Sequence, residues 1–256
     1  MKAILLATTI FAGAFAGAAQ AQTVAALVGG DTLVHVDAKA KKVLKTVKIM
    51  GAGPIVGIDV RPADGMLYGL ASDGTIVTID PASGKATMKS KLETMLPAGT
   101  IATVDFNPVA DRLRVIGSNG MNLRANVDDG KVTTDGALKY AEADMSKGQT
   151  PNVVAGAYTH SFKGTKSTTL YDIDGTIGAL LKQAPPNDGV LGTIGKLGVT
   201  GKAWAFDIAS SEEGKNSAWL MSGDMLYSVD LESGKATPAG KVEGIKGAVS
   251  DIAILQ

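Results

Sequence analysis

From Ile55 to Met88 the chain alternates apolar and polar positions in short runs that are broken by turn residues. Val56, Ile58 and Val60 fall on one face of an extended segment, and Gly57, Asp59 and Arg61 on the other; this period of two predicts a strand with unlike faces. Pro62-Ala63-Asp64-Gly65 follows, and proline with a fixed φ ahead of Asp-Gly predicts a turn. Met66–Ala71 is a second predicted strand. Asp73-Gly74 signals a hairpin into Thr75–Asp80, and Pro81–Gly84 turns the chain into Lys85–Met88. The unit is four short strands.

Weaker copies of this unit recur along the chain. The first strand, GIDVRP around Asp59, matches TVDFNP around Asp105, AFDIAS around Asp207 and SDIAIL around Asp251. In VVAGAYTH the Asp place is taken by Ala157. The later elements TIDPASGKAT, ANVDDGKVT and SVDLESGKAT repeat in step, with HVDAKAKKV as a degenerate first copy. Steps of about 45–50 residues are the size of a four-stranded propeller blade. Val24–Val28, Thr32–Asp37 and Lys42–Ile49 open the folded part as three strands of a blade that lacks its first, and an unpartnered first strand, Ala248–Leu255, ends it. The expectation is an all-β, five-bladed β-propeller closed by the C-terminal strand in the first blade, which also removes exposed sheet edges. Two packed β-sandwiches would explain the short strands but not the unpartnered last one.

Residues 1–21 read differently. Lys2 gives a positive start, Ile4–Ala19 an apolar stretch, and Ala19-Gln20-Ala21 a small-x-small cleavage site; together they predict a secretory signal peptide. Residues 22–256 then form one propeller domain in a periplasmic or secreted protein. No later stretch is long and apolar enough to predict a membrane-spanning helix. There is no cysteine, so disulfides cannot stabilise the exported chain. With 25 basic and 25 acidic residues, no electrostatic footprint for nucleic acid is present.

The chemically richest stretch is the third repeat. Three of the four arginines, Arg112, Arg114 and Arg124, lie here, and the fourth is Arg61. Arginine suits planar, bidentate partners. A two-residue turn at Asn119-Gly120 would set Arg114 opposite Ala125 and Arg124 opposite Val115, so that the two guanidinium groups leave opposite faces of the sheet. The stretch ending in Leu138-Lys139-Tyr140 belongs to this repeat, and Ala141–Pro151 is expected as a polar loop. The fourth repeat departs most from the template. In it, 175–183 is open to strand or helical turn, and PPNDG at 185–189 is a marked turn.

VDFNPVADRLRV, NLRANV, TDGALKY, TTLYDIDG and PPNDGVLGTIGKLG together resemble the exported bacterial proteins grouped as the domain-of-unknown-function family numbered 4394, over nearly all of the chain after residue 21. The resemblance implies a propeller-like exported domain. It implies no assigned catalytic residue. The family pattern around AYTHS more often ends in Asn, so His160 departs from it.

The candidates for chemistry follow from these patterns. Asp59, Asp105, Asp207 and Asp251 form a repeated set. It is read either as a blade-to-blade clasp accepting backbone N–H groups or as a ring of carboxylates for Ca²⁺; the clasp is favoured, since equivalent residues in every repeat usually serve the repeat. Arg112, Arg114 and Arg124 with Asn107 and Asn122 are candidate ligand-binding residues, and an inter-blade ion-pair network is the preferred reading. Tyr158, His160, Asp172, Asp174, Asn187 and Asp188 are the candidates in the unlike fourth repeat. Asp172-x-Asp174-Gly175 resembles the opening of a calcium loop that lacks its later ligands. Two histidines, His35 and His160, and no cysteine exclude a His- or Cys-rich zinc site; His35 is expected at the surface. No G-x-S-x-G elbow is present. The leading expectation is a non-enzymatic binding or scaffold module for an unknown protein or small periplasmic ligand, with no cofactor required. The alternative is a Ca²⁺-dependent hydrolase or lactonase-like enzyme using axial carboxylates. A purely structural envelope role is the third reading.

Overall fold

A computed structural model describes residues 22–201, 203–211 and 214–255; the predicted signal peptide lies outside the described residues. The chain opens with β1 (Thr23–Val28), β2 (Thr32–Asp37) and β3 (Lys42–Lys48), three strands of blade 1. Blade 2 is β4 (Ile55–Val60), β5 (Leu67–Ala71), β6 (Thr75–Ile79) and β7 (Ala86–Lys91). Blade 3 is β8 (Ala102–Asn107), β9 (Arg112–Gly117), β10 (Asn122–Ala125) and β11 (Val132–Thr134). The short β12 (Lys139–Tyr140) precedes blade 4, which is β13 (Val153–Tyr158), β14 (Leu170–Asp174), β15 (Ala179–Gln183) and β16 (Val190–Lys196). Blade 5 is β17 (Ala205–Ser210), β18 (Asn216–Ser222), β19 (Met225–Val229) and β20 (Ala236–Lys241), and β21 (Val249–Leu255) ends the chain.

Each blade is an antiparallel meander, and the five sheets form a ring. β21 pairs antiparallel with β1, Thr23 opposite Leu255 and Ala25 opposite Ala253, so the first and last described strands share blade 1. The fold is the expected five-bladed propeller. The innermost strands β21, β4, β8, β13 and β17 are almost wholly buried. Apolar faces of neighbouring sheets interlock between blades: Ala25, Leu33 and Ala253 of blade 1 pack with Ile58, Val77 and Ile79 of blade 2. Burial of these faces, at roughly 25 cal/mol per Å², holds a ring that has no disulfide.

Three local expectations are corrected. Lys139 and Tyr140 leave blade 3 and add a fifth strand, parallel to β16, at the outer edge of blade 4. His35 is buried rather than exposed, because β2 faces blade 2 across a tight seam and presses the imidazole into it. The arginine register also differs. The β9–β10 hairpin closes with Gly117 N–H donating to Met121 O at 2.8 Å, and Gly120 takes a left-handed φ of 86°. A three-residue loop, not a two-residue turn, therefore joins the strands. The one-residue slip places Arg114 directly opposite Arg124, and side chains at paired positions share a face.

Candidate functional site

Along the channel the repeated aspartates bridge the blades. Asp251 Oδ2 accepts Ile58 N–H at 2.8 Å, joining blade 1 to blade 2. Asp59 Oδ2 accepts Phe106 N–H at 2.7 Å, and Asp105 Oδ1 accepts Tyr158 N–H at 3.0 Å. Asp207 Oδ2 accepts Ile254 N–H at 2.6 Å and links blade 5 to blade 1. Asp59, Asp207 and Asp251 also accept the N–H of the residue that follows each of them. These bonds answer channel-facing amides of the inner strands, which have no further strand to pair with. Ala157 has no carboxylate to offer, so among the described residues the seam between blades 4 and 5 carries no such bridge.

The same geometry crowds negative charge. One oxygen each from Asp59, Asp105 and Asp207 lies within 4.8 Å of the others, all three buried. Burial first, and then Asp207 and Asp251, hold the Asp59 carboxyl well above the usual range. Asp105 is raised by burial and by Asp59, and Asp251 by burial. Asp207 is pushed to about 6 by burial, against two backbone hydrogen bonds that favour the anion.

A second polar cluster lies between blades 3 and 4. Arg114, 1% exposed, donates to Asp135 Oδ2 at 2.6 Å, Asn122 Oδ1 at 2.9 Å, Asn187 Oδ1 at 2.8 Å and Tyr158 OH at 3.2 Å. Arg124 grips both oxygens of Asp135, at 2.6 and 2.8 Å. The pairing of the two strands thus brings both arginines onto one carboxylate. Asp172 is fully buried nearby with neither oxygen hydrogen-bonded. Burial raises its carboxyl to about 8, although the Arg114 charge pulls the other way. It reaches over Gly156, where any Cβ would collide with Asp172 Oδ1. Thr103, whose hydroxyl is also buried without a partner, packs against the same glycine.

The remaining candidates are dispersed. Arg112 donates to the carbonyl of Asp111 at 2.8 Å, and Asn107 accepts the amides of Val109 and Ala110 in a turn. Asp174 is spent on structure: Oδ1 accepts from Thr176 and Ile177 N–H, and Oδ2 accepts from Tyr140 OH and Asn152 N–H. His160 stands half-buried in a left-handed turn, φ 55°, beside Thr159 Oγ1 at 2.9 Å. Asp188 is exposed on a single 3₁₀ turn, Pro186–Asp188. Arg61 ties blade 2 to blade 3, bonding Asp111 through Nε and Nη2 at 2.8 and 2.6 Å and Asp128 at 3.0 Å.

The model of the family described as a domain of unknown function (DUF4394) matches residues 32–253. The chain belongs to this family. No curated protein is significantly similar to this DUF4394 chain. A structural genomics protein of unknown function from Bacteroides thetaiotaomicron VPI-5482 is 16% identical, with 92% of this chain and 67% of that one covered and a TM-score of 0.56. A protein of unknown function from Bacteroides caccae is 13% identical, covering 89% and 75%, with a TM-score of 0.46. At these identities the likeness concerns fold alone.

One concave feature of the DUF4394 domain gathers residues from several blades. At the end of the channel where the inner strands begin, a cavity of about 300 Å³ is lined by Ser250 of blade 1, Ile101 of blade 3, Asn152 and Val154 of blade 4, and Ala203 and Trp204 of blade 5. Among the described residues, no charged side chain lines it. A hollow of about 430 Å³ at the other end, by Leu67, Ile79, Pro81 and Leu255, is the wedge between blades 1 and 2 alone. Sequence reasoning missed Trp204, Thr103 and Asp135 as site residues. Asp135-Gly136 reads only as a turn, and strand-start positions carry no pattern that marks a channel mouth.

Proposed function

We propose that this DUF4394 protein is an exported, non-enzymatic binding module that takes its ligand at the channel mouth. The observation that carries the reading is the mouth cavity itself, whose described lining comes from four blades and is uncharged, with Trp204 in its wall. Concave, mostly apolar sites with a few polar groups are where small molecules and side chains bind. Asn152 and Ser250 supply the polar groups. The arginines support this reading by their occupation: Arg61, Arg114 and Arg124 are already committed to carboxylates.

The test uses Trp204 as its own reporter. In a Trp219→Phe variant the remaining tryptophan lines the mouth, and the neutral dye N-phenyl-1-naphthylamine should accept its excitation energy. A Ser250→Phe substitution, which narrows the mouth from an exposed position, should abolish the transfer. Transfer that is unchanged by Ser250→Phe would place the dye elsewhere and reject the mouth.

A second reading is favoured by the carboxylate geometry. Asp59, Asp105 and Asp207 present oxygens to one another at a spacing a cation would bridge, and Ca²⁺ takes oxygen ligands. Ca²⁺ held there would make the channel a centre for ester or lactone hydrolysis. Thermal unfolding in EDTA and then in millimolar Ca²⁺ separates the readings. A ligand specific for the folded state adds about 2.7 kcal/mol at a hundredfold excess over its Kd. A Ca²⁺-dependent rise in Tm that is lost in Asp207→Asn would put the metal reading first, and an unchanged Tm would remove it.

A further inference from the structure

The mouth cavity does not stop at the channel. A second hollow, about 410 Å³, shares Gly175, Gly201 and Trp204 with it and runs outward along the seam between blades 4 and 5. Its walls are the β14–β15 turn of blade 4 around Thr176 and the 198–201 segment ahead of blade 5. This is the same seam that lacks an aspartate bridge, because Ala157 stands where the other repeats carry the carboxylate. The unbridged seam and the groove coincide.

The chemistry of the walls is that of exposed backbone. Gly175, Gly178, Gly198 and Gly201 leave main chain uncovered along the groove. Among the described residues, the amides and carbonyls of Gly198, Val199, Thr200 and Gly201 have no hydrogen-bond partner within the chain. Trp204 is 6% exposed, so it offers an edge and not a stacking face. Among the described residues no carboxylate lines the groove, and Lys196, at its outer part, is the one charged lining residue, with one of its ammonium hydrogens donated to Ile177 O at 2.7 Å. Unpaired main chain hydrogen-bonds another main chain; here the free amides and carbonyls lie on the bend at 198–201 and not on a sheet edge. A sugar chain would call for aromatic faces and carboxylates, which the groove lacks.

We infer that the groove between blades 4 and 5 binds an extended peptide, whose inner residue enters the mouth uncharged and whose outer end places an acidic group by Lys196. This rests on the reading of the mouth as the binding site and extends it to a ligand class. The peptide runs from the channel outward, its backbone against Gly198–Gly201.

The test is retention of pooled random hexapeptides on the immobilised chain of residues 22–256, read by mass spectrometry. One pool ends in Glu and one in Lys, both as C-terminal amides so that only the side chain sets the charge of that end, and maltohexaose is the carbohydrate control. The Glu pool should be retained about threefold over the Lys pool, the worth of one exposed ion pair. Lys196→Glu should invert that preference, and Thr200→Phe should reduce peptide retention while leaving N-phenyl-1-naphthylamine in the mouth. Peptide retention unaffected by Thr200→Phe, or dye binding with no peptide retained, would overturn the groove and leave the mouth standing. Retention of maltohexaose that Thr200→Phe abolishes would overturn the peptide assignment. Dye binding that ignores Ser250→Phe would instead remove the mouth reading itself.

Discussion

Burial without a hydrogen-bond partner makes Asp172 the most pH-sensitive residue of blade 4. Its carboxyl titrates near 8 in the folded chain, against about 3.9 for an unfolded aspartate. The folded state therefore holds the proton more tightly. The stability this gives is complete below about pH 4 and declines as pH rises toward 8. Asp172→Asn should raise Tm at pH 8, by an amount corresponding to about 2 kcal/mol, and flatten the fall in stability between pH 5 and 8. A Tm–pH profile of the two proteins checks this; the channel carboxyls of Asp59, Asp105, Asp207 and Asp251, also raised by burial, lower stability with rising pH in both alike, so the difference between the profiles reports Asp172. None of this was legible from the sequence. Asp172-x-Asp174 reads there as a pair, yet one member sits in a hydrogen-bonded turn and the other is buried where no donor reaches either oxygen, a distinction only packing creates.

Between elements, the bridges make the seams unequal. Asp105→Ala leaves Tyr158 N–H buried without an acceptor, which costs about 1–3 kcal/mol. It should speed exchange of that amide by about tenfold or more, while Ile58 N–H, held by Asp251, stays slow. Hydrogen-exchange NMR reads both amides in one experiment, and equal acceleration of the two would contradict a seam-by-seam clasp. The seam of blades 2 and 3 has a second tie in Arg61. Arg61→Lys should cost about 2 kcal/mol in urea unfolding, since lysine cannot keep the bidentate grip on Asp111 with the bond to Asp128. The aspartate repeat was readable because an equivalent residue recurs in four of the five inner strands. The shared face of Arg114 and Arg124 was not. It turns on whether Gly117–Met121 encloses two or three loop residues, and a slip of one reverses every side chain.

For the whole molecule, five-fold closure was legible from arithmetic on the repeats: a last inner strand with no blade of its own and a first blade with no inner strand. The closing pair is also where the ring is most exposed to truncation. Removing residues 249–256 takes away β21 with Ile252, Ala253 and Ile254, buried in the cores on both sides of blade 1. The truncated chain should lose its cooperative thermal transition by calorimetry, whereas loss of a single surface loop would only lower Tm. The mouth and its groove were invisible in sequence for the opposite reason, since their walls are glycines and strand starts that no periodicity marks.

The pairing of Thr23 with Leu255 has a mechanical side. The two strands run antiparallel, and these residues lie at the same end of the pair. Tension applied between them would load the hydrogen bonds one at a time, as a zip is opened, instead of all at once in shear. A ring held by five interlocked seams would therefore yield to a small pulling force within one blade, at the strand pair that closes it.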